Sequence, residues 1–215
     1  MQRTMDSQTS APLESSPAST SRGSTTWARL PNVLLLTGGI VAGLMLMANY
    51  AGVRYNRTPS LPGGFYSERA YGGVAAEVGD LVMFCLPPDV TAYGMSRGYL
   101  RKGGCPGGAS PLGKAVIAVA GDTVVVGASS VAVNGREVPH SEPLREDSRG
   151  RAIAPGYGEV VLEEGQVFVL SNYHGRSFDS RYYGPVEDTL IRGKLMPILT
   201  WGNDWEDDLT LVASK

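Results

Sequence analysis

The stretch NRTPSLPGGFY, residues 56–66, sets two hydroxyls two residues apart, Thr58 and Ser60, with Pro59 and Pro62 flanking the serine and Gly63-Gly64 after it. A serine hydroxyl becomes a useful nucleophile only when a base takes its proton. Histidine is the usual base, and the chain has two: His140 in VPHSEP and His174 in SNYHGRSFDS, both of which read as surface residues. Lysine is the other candidate, provided burial or neighbours depress its pKa toward neutrality. Lys102 follows Arg101 and Lys215 ends the chain, whereas Lys114 opens the apolar run AVIAVA. A strand there could desolvate the ammonium; a lysine opening a strand can equally snorkel to water. The prolines restrict the backbone on either side of Ser60, and the two glycines are expected to let a substrate backbone approach.

Other chemistries find less support. There is no C-x-x-C, which removes redox catalysis and a zinc knuckle, and two histidines are too few for a His-rich metal site. No cofactor and no metal are expected. A net charge of −2 carries no nucleic-acid footprint. The two cysteines, Cys85 and Cys105, bracket a Gly-rich stretch; one disulfide is expected if the domain is exported, and buried thiols are the other reading.

Four segments follow from composition. Residues 1–30 are rich in Ser and Thr, and 1–26 bury too little apolar surface to offset chain entropy, so they read as disordered. Residues 31–53 read as a membrane anchor: no charged residue or histidine occurs from Leu30 to Val53. VLLLTGGIVAGLMLMANYAGV would span about 31 Å as a helix, against a hydrocarbon thickness of ~30 Å. A cleaved signal peptide competes, but its leader would be long and Leu46/Ala48 is a poor cleavage pair. Gly39 and Gly43 could pack against another membrane helix or be ordinary glycines of such a segment. Arg22 and Arg29 before it and Arg54, Arg57 and Arg69 after it leave its orientation open. Residues 54–201 form one domain-sized block, and 202–215 are an acidic tail.

Within that block the signals are those of strands. DLVMFCL (80–86), KAVIAVAGDTVVVG (114–127, broken at Gly121-Asp122), EVVL (159–162), VFVLS (167–171) and LIRGKLMPILTW (190–201) are short apolar runs bounded by turn residues. SVAVNGREVP (130–139) carries an Asn134-Gly135 hairpin turn. Pro197 marks an edge or a strand end. No amphipathic helix is expected after the anchor. The fold class is mainly β: an antiparallel barrel or sandwich with one N-terminal transmembrane helix.

NRTPSLPGGFY, GDLVMF, LGKAVIAVAGD and SFDSRYYGP, in that order, resemble the boxes of the bacterial type I signal peptidases. FCLPP, RGYLRKGGCPGG, VNGREVPHS and the final PILTW are similar to their conjugative-transfer branch, the TraF pilin-maturation peptidases. The likeness spans essentially the whole exported block, and several motifs in one order are far more specific than one. It implies a signal-peptidase-like domain with Ser60 as nucleophile and Lys114 as general base. It implies that Thr58 helps form the oxyanion hole, that Ser177 orients the lysine, and that Asp179 and Arg181 form a supporting ion pair. The sequence departs from the housekeeping pattern at Ser171-Asn172-Tyr173, Ala115 and Ala120.

What the resemblance implies about function is a membrane-anchored serine endopeptidase that processes the pilin precursor of a conjugative type IV secretion system. Its expected place is the bacterial inner membrane, single-pass, with the catalytic domain in the periplasm. The acyl-enzyme would be resolved by water or by the pilin's own amine, which would cyclise it. General signal-peptide removal and a non-catalytic pilus-assembly module are the alternatives; no DNA-binding domain precedes the block, which argues against a LexA-like autoprotease. Ser60 lies seven residues past Val53, at most ~25 Å of extended chain, which suits work near a bilayer surface. Leu61, Phe65 and Tyr66 fit either that interface or the core.

Overall fold

A computed structural model describes residues 30–201 apart from Val74. The segments read as disordered (1–26) and as an acidic tail (202–215) lie outside the described residues. Helix α1, Leu30–Tyr50, is uncharged, and over Pro31–Tyr50 its mean hydropathy of 1.8 and its length suffice to cross a membrane. It ends sooner than the apolar run does. Gly52 adopts φ +73°, where a Cβ would meet the Glu68 carbonyl at 2.8 Å, and Val53 already belongs to a strand.

Among the described residues eleven strands follow: β1 Val53–Asn56, β2 Gly63–Ala70, β3 Leu81–Phe84, β4 Leu112–Ala118, β5 Thr123–Val126, β6 Val131–Val133, β7 Arg136–Val138, β8 Gly158–Val161, β9 Gln166–Leu170, β10 Val186–Glu187 and β11 Ile191–Trp201. They form two antiparallel sheets, ordered β1-β2-β11-β3-β4-β9-β10 and β7-β6-β5-β8. The central strands are buried on both faces, which is why their sequences are apolar runs and do not alternate. Leu81, Ala115, Ile117, Phe168 and Leu170 turn toward the small sheet and pack with its Val124, Val131 and Val138. Val82, Phe84, Val116, Val167 and Val169 fill a second core on the opposite face with Leu100, Ile153 and Phe178. At ~1.5–3 kcal/mol for each fully buried aliphatic or aromatic side chain, this double burial makes β3, β4 and β9 the rigid centre of the molecule. Asn134 and Gly135 take φ +51° and +80°, as the predicted hairpin between β6 and β7 requires.

One expectation is corrected, and two others take a definite form. The helix that follows the membrane segment is not amphipathic: α2, Pro88–Arg97, buries only Thr91 and Gly94, so it shows no apolar stripe. Its signals are at its ends, Pro88 and Asp89 in the first turn and Gly98 in a left-handed C-cap after Arg97. A second short helix, α3, covers Ser180–Tyr183. Gly63 and Gly64 serve the fold and not a substrate: Cβ atoms there would lie 2.8 Å from Trp201 Nε1 and 2.3 Å from the Leu199 carbonyl, so they let β11 close onto β2. Of the three residues near the nucleophile, Leu61 and Tyr66 are buried in the core and Phe65 is exposed. Pro197 is tolerated because only β2 pairs with that end of β11, and the ladder bulges just after it.

Candidate functional site

Lys114 is the third residue of β4, and strand alternation puts it on the same face as Val116, toward the second core. Only 1% of the residue is exposed. Its Nζ lies 2.6 Å from Ser60 Oγ and 2.7 Å from Ser177 Oγ. Burial is the main influence on the ammonium and lowers its pKa from 10.5 to about 8; Asp179 pulls it up and Arg181 pushes it down. An amine so placed is neutral in an appreciable fraction of molecules near neutral pH, and its lone pair can then accept the Ser60 proton. Ser177 Oγ fixes the amine from the other side, so the structure brings Ser60, Lys114 and Ser177 into one chain of hydrogen bonds.

The loop carrying Ser60 is organised by Asn56, the last residue of β1, whose role is not evident from its type alone. Asn56 Nδ2 donates to the carbonyls of Thr58, Leu61 and Pro62 at 3.1, 2.9 and 3.1 Å. Its Oδ1 accepts from the Thr58 N–H at 3.0 Å and from Thr58 Oγ1 at 2.7 Å. One amide thus replaces the ladder that a loop lacks, an Asx turn extended over five residues. Asn at the start of N-x-T-x-S was the available signal. Thr58 is exposed beside Ser60, and its hydroxyl proton points at Asn56. The Ser60 N–H has no hydrogen-bond acceptor among the described residues.

Ser171, directly after β9, is more than a departure from the family pattern. Its Oγ donates to the Ser60 carbonyl at 2.7 Å, tying the loop to the central sheet across 111 residues of sequence. Ser171 and Ser177 are in turn held by a buried ion pair. Arg181 Nε and Nη2 meet Asp179 Oδ1 and Oδ2 at 2.7 and 2.8 Å, and neither side chain is exposed at all. Burial works against the guanidinium charge, but Asp179's hydrogen bonds and charge outweigh it and keep the pKa above the ordinary arginine value. Arg181 Nη1 donates to the Glu142 carbonyl at 3.0 Å, and Nη2 approaches the carbonyls of Ser171 and Ser177 at 3.4 Å each. Asp179 Oδ2 accepts from the Ser171 N–H at 3.2 Å. With its donors occupied, the pair acts as a rigid strut beneath both hydroxyls.

Ser60, Lys114 and Ser177 open into a cleft of about 320 Å³. One wall is the segment after α2, from Gly98 to Arg101 and from Ser110 to Gly113, and the other includes His174, Arg176 and Phe178. Cys85 and Cys105 are joined by a disulfide, Cα atoms 5.6 Å apart, which ties that wall to the end of β3. Closing this 20-residue separation stabilises the fold by ~3 kcal/mol in the chain-entropy model. His140 is exposed and lies outside the cleft lining; His174 Nδ1 accepts from the Arg176 N–H at 3.1 Å. Among the described residues no cluster of three or more His, Cys, Asp or Glu could hold a metal ion.

Mainly antiparallel strands and one N-terminal apolar helix agree with the signal-peptidase-like fold class that the motifs imply. Residues 24–201 match the family model of signal peptidase, peptidase S26, and the chain belongs to that family. It is 36% identical over 177 residues to the plasmid transfer protein TraF of Escherichia coli, covering 80% of this chain and 97% of that one. It is 44% identical over 161 residues to a probable conjugal transfer protein TraF of Sinorhizobium fredii, covering 74% and 83%. Among solved structures, a signal peptidase I from Enterococcus faecalis aligns with TM-score 0.33 and 22% identity, over 56% of this chain and 97% of that one.

Proposed function

We propose that this chain is a membrane-anchored Ser–Lys endopeptidase that matures the pilin precursor of a conjugative type IV secretion system. The observation that carries this reading is the buried Lys114 amine, 2.6 Å from Ser60 Oγ and 2.7 Å from Ser177 Oγ. Neutral Lys114 takes the Ser60 proton as Oγ bonds to the scissile carbonyl carbon. The carbonyl oxygen becomes an oxyanion, which the Ser60 N–H and the Thr58 hydroxyl stabilise. For that, Thr58 turns its proton away from Asn56 Oδ1; the 3.0 Å bond from the Thr58 N–H to the same oxygen keeps the loop in shape. When the C–N bond breaks, Lys114 returns the proton to the leaving amine and an ester to Ser60 remains.

Water or the pilin's own N-terminal amine then releases that ester, giving a linear or a cyclic product. The loop from Arg97 to Gly113, whose two ends line the cleft at Gly98–Arg101 and Ser110–Gly113, is suited to exclude water and hold the amine near the ester. The relatives' conjugal-transfer names support the pilin assignment over general signal-peptide removal. The disulfide supports an oxidising compartment, and with the apolar helix Pro31–Tyr50 it fits an inner-membrane protein whose catalytic side is periplasmic. The proposed organisation is a Ser/Thr-rich segment 1–30, a membrane anchor 31–53, a catalytic domain 54–201 and an acidic tail 202–215.

The test is maturation of the pilin precursor in cells where this protein is the sole processing enzyme. Ser60→Ala and Lys114→Ala should each abolish it while the protein accumulates normally; full maturation by Lys114→Ala would refute the base assignment. The mass of the mature pilin separates the two fates, since a cyclic chain is one water lighter than a linear one and resists degradation from its amino end.

A further inference from the structure

The charge of the cleft is one-signed. Besides Lys114, its lining includes Arg101, His174 and Arg176, and no aspartate or glutamate. Arg101 and Arg176 are exposed and come from opposite walls, one from the segment after α2 and one from the turn before Ser177. Neither forms an ion pair among the described residues, although three other arginines near the site do. Asp147, which lines the adjoining cavity, is already committed: it binds Arg151 at 2.7 Å, accepts from Tyr99 Oη at 2.8 Å and lies 3.9 Å from Arg97. Arg176 also borders the neighbouring cavity lined by Glu146 and Asp147, again with no ion pair formed. The chain as a whole carries −2, so this positive cleft is a local arrangement and does not follow from overall basicity.

Two guanidinium groups without ion-pair partners flanking a nucleophile fit an anionic ligand, because a concave, partly desolvated site focuses their field and a guanidinium pairs with a carboxylate through two parallel bonds. On the reading that Ser60 is a peptidase nucleophile, we infer that Arg101 and Arg176 select peptide substrates bearing a carboxylate within a few residues of the scissile bond. Two sources of that group share the same chemistry: an Asp or Glu side chain, and the free C-terminus of a short leaving segment. Being solvent-exposed, each guanidinium contributes a modest factor, about two- to fivefold, and the contribution falls with salt.

The experiment uses full-length protein in detergent and a set of fluorescent peptides spanning the pilin processing site. Four versions differ only near the scissile bond: Glu or Gln in the side chain, crossed with a C-terminal acid or amide. Binding is measured by anisotropy on Ser60→Ala protein, and kcat/KM on wild type. The expected result is roughly fivefold tighter binding and faster cleavage of carboxylate-bearing peptides at low salt, shrinking above ~0.5 M salt. Arg101→Gln with Arg176→Gln should bring the ratio between acidic and neutral peptides toward one. The Glu/Gln arm and the acid/amide arm report separately which carboxylate is read. Equal binding of all four peptides would overturn the inference, as would a ratio unchanged in the double variant. Failure to cleave any peptide, with selective binding intact, would instead count against the peptidase reading alone.

Discussion

Replacing Lys114 by methionine should inactivate the protein and stabilise it at neutral pH. Methionine fills the same channel but carries no charge into the β4 interior. Holding the Lys114 pKa at about 8 instead of 10.5 costs the fold about 3 kcal/mol wherever the lysine is protonated in both states. Against this, Ser177 Oγ loses its 2.7 Å partner inside the protein, which costs ~1 kcal/mol, while Ser60 faces the cleft and can be hydrated. The net expectation is a gain of about 1–2 kcal/mol at pH 7, a Tm higher by roughly 2–8 °C. The sign of the pH dependence is fixed by the direction of the shift. Between pH 8 and 10.5 the unfolded wild-type chain holds a proton that the folded one has released, so wild-type stability rises relative to the variant. From pH 7 to 9.5 the gap should close by about 2 kcal/mol. Thermal unfolding of the two full-length proteins in detergent across that range is the assay, with peptide cleavage measured in parallel. A variant less stable than wild type at pH 7, with a gap that does not move with pH, would refute the claim that the site holds a desolvated, readily neutralised amine.

The rate of acylation should rise about tenfold per pH unit below pH 8 and level off above it, because only neutral Lys114 accepts the Ser60 proton; a profile flat from pH 6 to 9 would point to a different base. Ser171→Ala removes the 2.7 Å bond to the Ser60 carbonyl and should lower kcat about five- to tenfold with KM little changed, while Ser171→Thr restores most of the loss; single-turnover kinetics on the three proteins decide this. Arg181→Leu leaves the Asp179 carboxylate buried without its partner and should destabilise the protein by about 3–5 kcal/mol, read by denaturant unfolding. Replacing Cys85 and Cys105 together by serine should cost about 3 kcal/mol, and the native protein should offer no thiol to an alkylating reagent until it is reduced.

Much of the site could be read from order alone. The hydroxyl pair, the lysine opening an apolar run and the S-x-D-x-R spacing lie in contiguous motifs, and the strands that hold them are short apolar runs between glycine turns. The sequence also located Asn134-Gly135, because a hairpin that tight demands positive φ at two successive residues. Other features were invisible for definable reasons. α2 packs through Thr91 and Gly94, so no apolar stripe announced it, and Gly94 is small because a Cβ would lie 2.7 Å from Leu100 Cδ1. Gly63 and Gly64 looked like room for a substrate, but only the pairing of β2 with β11 revealed what occupies that space.

What residue types and spacing determined by themselves was which groups are chemically competent: a serine with restricted backbone, a candidate base, and an apolar segment of membrane length. Tertiary structure alone decided whether they act together. Ser60, Lys114 and Ser177 are 54 and 63 residues apart, and only the stacking of two cores around β4 desolvates the lysine between the two hydroxyls. The tether from Ser171 to the nucleophile's carbonyl, the five-residue grip of Asn56 and the sign of the cleft likewise arise from approach in space. A lysine's charge state depends on the water excluded around it, and no stretch of sequence states which distant residues will exclude that water.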